Sequence, residues 1–336
     1  MRKINGQPVD AITDISEATG GEALKWDAST GRMAWELQDG SSYIPTTYYG
    51  DRGIFAGGGD SVDHIDYITI SSAGNGTDFG NLTVARYAFG TASNGSRGVF
   101  AGGVRTAWSS MSNVIDYITF ASTGNATDFG DRTNSIHGLA GCSDGTTGVF
   151  GGGGMTNVDV IDYITIATTG NATDFGNLLF AMYNTSACAD DTRGVWGGGA
   201  VGGTHQNTIQ YVTIASTGNA TDFGDLTVSV SQSAGLSDTT RGVFGGGTTG
   251  TATNVIGYIT IQSTGNGTDF GDLSGAISYL GANSNGTTGV FGGGDLLGSG
   301  AINTMSYITI QSTGNTTDFG DLVTSTNYGC GGTSGD

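Results

Sequence analysis

The chain has 336 residues, of which 63 are Gly and two are Pro, and its charge is sparse and one-sided, with 11 basic against 30 acidic residues and a net charge of −19 at pH 7. An acidic surface of this kind repels phosphate backbones, so no nucleic-acid partner is expected. No apolar run approaches the ~20 residues that a membrane helix needs, so no membrane insertion is expected either.

In chain order, the first segment is residues 1–51. Met1 to Pro8 is basic but has no apolar stretch behind it, so no signal peptide is read there and synthesis in the cytoplasm is expected. Gly21 to Glu36 reads as a small β-hairpin, with Trp26 and Trp35 flanking an Asp27-Ala-Ser-Thr-Gly31 turn. Both Lys residues, Lys3 and Lys25, lie in this segment. It is too short for an independent core of ordinary size, so it is expected to order against a partner as an attachment segment.

From Arg52 to Asp336 one phrase returns six times, most clearly as Tyr67 to Phe79, Tyr117 to Phe129, Tyr163 to Phe175, Tyr211 to Phe223, Tyr258 to Phe270 and Tyr307 to Phe319. The Asp before each Phe steps by 50, 46, 48, 47 and 49 residues. A period near fifty, built of short strands and Gly-rich turns, marks a propeller or a β-solenoid.

Residues 193–240 serve as the model unit. Arg193 to Gly199 is a short apolar strand ending in three glycines, and a variable loop follows. Thr208 to Ile214 is β-branched and aromatic, a strand by propensity. Ser216 to Ala220 is a turn whose Gly and Asn accept positive φ. Thr221 to Leu226 and then Val228 to Leu236 supply two more strands. Four strands without a helical period make a propeller blade. In Ile65 to Ile70, Ile65 and Tyr67 face one way and Ile68 and Ile70 the other, as expected of a strand sandwiched between neighbouring blades.

The last repeat is followed by Val323 to Asp336, which matches the fourth-type strand of the other repeats, whereas the first repeat begins without one. The expectation is therefore an all-β, six-bladed propeller over 52–336, its C-terminal strand completing the first blade and leaving no sheet edge around the ring. The rival donor, Ser42 to Tyr49, contains Pro45, which disfavours a central strand.

Side-chain chemistry is thin. Cys142, Cys188 and Cys330 each precede a repeat junction and read as reduced, buried thiols filling space. His64, His137 and His205 show no catalytic or metal-ligand spacing, so no cofactor and no catalytic residue is assigned and an enzyme is not expected. The recurring Asn-x-Thr-Asp-Phe-Gly turn, for example Asn219, Asp222 and Asp225, offers oxygen ligands of the kind calcium takes. The plainer reading is that Asn and Asp cap tight turns through nearby N–H groups. The loop after the glycines differs in every repeat, and a propeller binds through such loops held by a rigid ring. Arg105 with Trp108, and Leu296 with Leu297, are the best contact candidates, against the plainer reading of unselected drift.

The apolar strand ending in double glycine, the Tyr of the next strand and the aromatic after the following turn resemble kelch repeats, across residues 52–336. The wording from Asp162, Asp-Tyr-Ile-Thr-Ile-Ala-Thr-Thr-Gly-Asn-Ala-Thr-Asp-Phe-Gly-Asn, is similar to kelch-like repeat proteins of marine bacteriophages and their hosts. The Leu24-Lys-Trp26 … Trp35 segment resembles modules near the N-termini of phage tail fibres. The resemblance implies a non-enzymatic virion protein, a tail fibre, tail tip or capsid appendage, displaying a propeller for host-surface adhesion. Its partners would be other virion proteins through residues 1–51, with Trp26 and Trp35 as contacts, and a host-surface glycan or protein. The virion would be its location after assembly in the host cytoplasm. A cellular kelch-like interaction or surface-adhesion protein is the alternative, and a carbohydrate-active enzyme a weaker third.

Overall fold

A computed structural model of the protein describes residues 50–59, 62–105, 110–154, 158–326 and 329–335 in full, and within 1–49 the backbone of five short strands. The chain divides into two units, Met1–Thr47 and Tyr48–Asp336. In the first, Lys3–Ile4 pairs with Gln7–Pro8, and Ala23–Asp27, Arg32–Glu36 and Ser42–Tyr43 form a three-stranded sheet. The hairpin register sets Trp26 opposite Met33 and Trp35 opposite Leu24. The side chains of Trp26 and Trp35 lie outside the described residues.

The second unit is a six-bladed β-propeller of four-stranded antiparallel blades. Blade 1 runs, from the innermost strand outward, Gly331–Gly335, Arg52–Ala56, His64–Thr69 and Thr77–Asn81. Gly332 pairs with Phe55 and Gly335 with Arg52, so the C-terminal strand closes the ring. Ser42–Tyr43, the rival donor, instead pairs with Trp35–Glu36. Blade 2 runs Gly90–Ser93, Arg97–Ala101, Val114–Thr119 and Thr127–Asp131, and blades 3 to 6 repeat the order. Among the described residues there is no helix.

The repeat phrase and the blade are out of phase by one strand. The last strand of the model unit is shorter than expected, Ala234–Ser237, and it pairs with Arg241–Gly245 of the next blade. Each interval between repeats therefore stitches two blades together covalently.

The core lies between blades, as the two-faced apolar pattern requires. Ile65 and Tyr67 join Phe79 against Phe89, Phe100, Ile118 and Phe120 of blade 2. Ile68 and Ile70 pack with Val290, Met305 and Phe319 of blade 6. Each Tyr meets the Phe twelve residues on, edge to face, as in Tyr67–Phe79 at 6.1 Å. Phe79 is the extra residue of a bulge, since Asp66 pairs with Asp78 and Ile65 with Gly80. Gly80 then takes φ +150°, and a Cβ there would overlap the Gly124 carbonyl of the next blade. Two constraints thus demand the Phe-Gly pair in every repeat.

Cys142 and Cys188 occupy matching places on innermost strands, opposite Val149 and Val195. Cys330 does not. It lies just before Gly331, where blade 1's register puts it three residues out of step with the other two. All three are buried thiols. Burial pushes their pKa values up, to about 11 for Cys330, which fits packing groups rather than nucleophiles.

Candidate functional site

Antiparallel strands put successive connections at opposite ends of each blade, so the ring has two unlike faces. On one are the near-invariant turns between third and outer strands. On the other are the variable loops between second and third strands, together with the connectors from each outer strand to the next innermost strand.

The invariant turns join blades. Asn125 Oδ1 accepts the main-chain N–H of Asn81 in blade 1 at 3.0 Å, while Gly124 N–H donates to the Phe79 carbonyl. Asn171, Asn219, Asn266, Asn315 and Asn75 do the same to Asp131, Asn177, Asp225, Asp272 and Asp321. The Asn reaches across to a neighbouring blade rather than capping its own turn. The calcium reading loses support, because the Asn219 oxygen already holds Asn177. No cluster of three His, Cys, Asp or Glu side chains fit to hold a metal occurs among the described residues. A second set of ties involves Arg52, Arg97, Arg193 and Arg241. Each stacks on the Tyr of its own blade, Arg241 on Tyr258 at 4.1 Å, and donates to a carbonyl of the next blade, Arg241 to Ile310 at 2.8 Å.

On the opposite face, buried polar groups hold the connectors. Asp116, fully buried, accepts from Thr83 N–H and Oγ1 and pairs with Arg86 at 2.8 Å, also fully buried. Asp162 with Thr133 and Arg132 repeats the arrangement at 2.9 Å. Burial lowers both guanidinium pKa values, and the paired carboxylates oppose that shift. Gln210 accepts the Leu179 N–H and Asp66 the Val323 N–H, so in blades 1 to 4 the third residue of this strand secures the connector even where its charge changes; in blade 5 that residue is Gly257. His64 contacts Asp66 at 2.8 Å, His137 is buried, and His205 meets Ser231 at 3.0 Å; the three sit in different blades or connectors.

The expected contact residues separate. Leu296 is half-buried, lies opposite Ile277 and packs on the cluster between blades 5 and 6. Leu297 is 60% exposed. Arg105 is half-buried and its N–H donates to the Ser110 carbonyl, within a folded loop of blade 2. Trp108 lies outside the described residues. Blade 1 stands between Arg105 and Leu297, so these candidates form no single patch.

The sequence reading missed the axis of the ring. Six innermost strands enclose a channel of about 200 Å³. At its turn-face end, serine hydroxyls link neighbouring strands: Ser143 donates to the Ser93 carbonyl, Ser237 to Ala189, Ser284 to Ser237 and Ser334 to Ser284. At the variable-loop end, main-chain N–H groups pass from blade to blade: Gly138 donates to Ala88, Asn184 to Gly138, Gln232 to Asn184, Tyr279 to Gln232 and Ala88 to Gly329. The signal for this collar was present in the sequence, since Gly138, Asn184, Gln232 and Tyr279 each stand eight residues after the Gly of Asp-Phe-Gly.

Fold and faces together define a rigid β-propeller whose variable elements gather around one mouth of its channel. No protein-family model matches the chain, and no curated protein matches it.

Proposed function

We propose that the protein is a non-catalytic display module, a kelch-like propeller that presents its variable-loop face to a host surface. One observation carries the reading: the repeated polar chemistry is engaged in joining blades, whereas residue identity changes freely only around the variable-loop face. A ring tied in this way holds loops in fixed positions, which lowers the ordering cost of binding. Residues 1–51 supply the attachment, and a bacteriophage tail fibre, tail tip or capsid appendage is the setting that the N-terminal wording and the repeat phrase support.

Mass spectrometry of purified particles tests the setting. The expected result is a peptide set covering the chain at structural stoichiometry. Recovery from cell envelopes alone, with no particle association, would replace the virion reading by the cellular adhesion alternative. Expressing residues 45–336 tests the anchor, and incorporation of that fragment into particles would refute it.

A further inference from the structure

The collar around the channel mouth differs from the other places where every blade takes positive φ, because four of its six residues are not glycine. All six of its residues take positive φ: Gly138 at 69° and Gly329 at 91°, but also Ala88 and Asn184 at 54° and Gln232 and Tyr279 at 61°. Side chains rarely adopt that conformation, and Gln and Tyr have no local hydrogen-bonding reason to do so. The chain itself shows that glycine serves at this place, in blade 3 and in blade 1. Three consecutive blades nonetheless carry an amide, an amide and a phenol there, and the three line the channel together. Gln232 Nε2 donates to the Tyr279 hydroxyl at 2.6 Å. Ser186 and Ser233, one step deeper, share a hydrogen bond at 2.8 Å.

We infer that this half of the mouth is a binding site for one ring of a neutral sugar, held by Asn184, Gln232 and Tyr279 over Ser186 and Ser233. Three features of the site select that ligand. Among the described residues no Asp, Glu, Lys, Arg or His side chain lines the channel, which sets it apart from the acidic protein around it and gives no counter-charge to a sialic or uronic acid. Primary amides present a donor and an acceptor side by side, the arrangement that vicinal hydroxyls match. A tyrosine ring supplies an apolar face for sugar C–H groups with a polar tip beside it. The inference deepens the adhesion reading and rests on it only for the source of the sugar, the end of a host-surface glycan.

The test uses the full chain and saturation-transfer NMR with the methyl glycosides of glucose, galactose, mannose and N-acetylglucosamine, against N-acetylneuraminic acid. At least one neutral glycoside is expected to bind, at least about tenfold more tightly than the acid. The variant N184G/Q232G/Y279G copies what Gly138 and Gly329 already do, so it is expected to fold with an unchanged or raised Tm. It should lose binding by about tenfold or more, since the site's hydrogen-bonding partners are gone. Ala88→Gly, which relieves the same backbone conformation without touching the site, should bind like the parent. Should the triple variant not fold, Gln232→Gly alone reads the same loss. Absence of transfer to every neutral glycoside, preference for the acid, or undiminished binding in the glycine variants overturns the inference. Cell attachment is measured separately. Attachment without sugar binding sinks the inference and spares the adhesion reading, while sugar binding without attachment does the reverse.

Discussion

Asn75 accepts the main-chain N–H of Asp321 through its side-chain oxygen at 3.1 Å, across 246 residues of chain. The bond ties the third-to-outer turn of blade 1 onto the outer strand of blade 6, and the Gly76 N–H donates to the Asp321 carbonyl beside it. It is the ring-closing copy of a tie made at every blade boundary. An exposed bond of this kind contributes near the low end of ~0.5–1.5 kcal/mol. Asn75→Ala is therefore expected to lower Tm by roughly 2 °C or less. Replacing all six Asn should lower it several-fold more, because the sites are far apart and their effects add. Differential scanning calorimetry of the single and sixfold variants checks this, and no loss in the sixfold variant would mean that the packed Phe clusters alone hold the blades.

Closure by Gly331–Gly335 predicts the effect of truncation. Removing 323–336 strips blade 1 of its innermost strand and leaves the Arg52–Ala56 strand as an open edge. It also removes Val323, whose N–H donates to the buried Asp66. The shortened chain should melt at lower temperature and associate through the exposed strand. Light scattering with thermal melting reads both, and behaviour equal to the full chain would require another strand to complete the blade.

The buried pair Arg86–Asp116 predicts a large single-site loss. Arg86→Met leaves the Asp116 carboxylate in the interior with only the Thr83 contacts, at a cost of about 3–5 kcal/mol. Arg132→Met, facing Asp162, should behave alike. Urea unfolding gives the difference directly, and a loss under about 1 kcal/mol would show that water reaches the carboxylate.

His137 predicts the response to mild acid. Burial lowers its pKa below the ordinary 6.5, so between those two values the unfolded chain binds more protons than the folded one. Stability contributed by neutral His137 is present above about pH 6.5 and is lost as pH falls towards the folded pKa. Asp66 has the opposite sign: burial raises its pKa above 3.8 against the pull of His64, so its cost at neutral pH is relieved as it protonates at lower pH. Tm should fall between about pH 7.5 and 5, and His137→Asn should flatten that slope. Equal slopes in parent and variant would assign the acid response elsewhere.

Leu296 and Leu297, adjacent in sequence, should separate on mutation. Leu297→Ser, at a position 60% exposed, should shift stability by no more than about 0.5 kcal/mol. Leu296→Ser removes a side chain packed on the cluster of Ile277 and Ile302 and should cost about 1–2 kcal/mol. If cell attachment falls in Leu297→Ser at unchanged Tm, the blade 6 loop belongs to the contact surface; if not, that loop is outside it.

Much of the architecture was legible in the residues themselves. The alternation in Ile65 to Ile70, apolar on both faces, is set by strand geometry and the need to bury each face, and it placed the core between blades before any partner was known. The count of six and the missing strand at Arg52 came from the same local regularity. Ala234–Ser237 belongs to the blade after its own repeat because it forms a tight hairpin with Arg241–Gly245, its turn held by Asp238 Oδ1, a local pairing that reading the repeat phrase as the blade hid. Contacts between blades were not local: Asn219 looked like a turn cap and is a tie to Asn177, and Cys330, which like Cys142 precedes a repeat junction, does not share its place in the ring. The channel mouth is the furthest case. Asn184, Gln232 and Tyr279 stand nearly fifty residues apart in the chain, each unremarkable in its own connector, and they become one surface only because six strands converge on a common axis and their N–H groups bond around it.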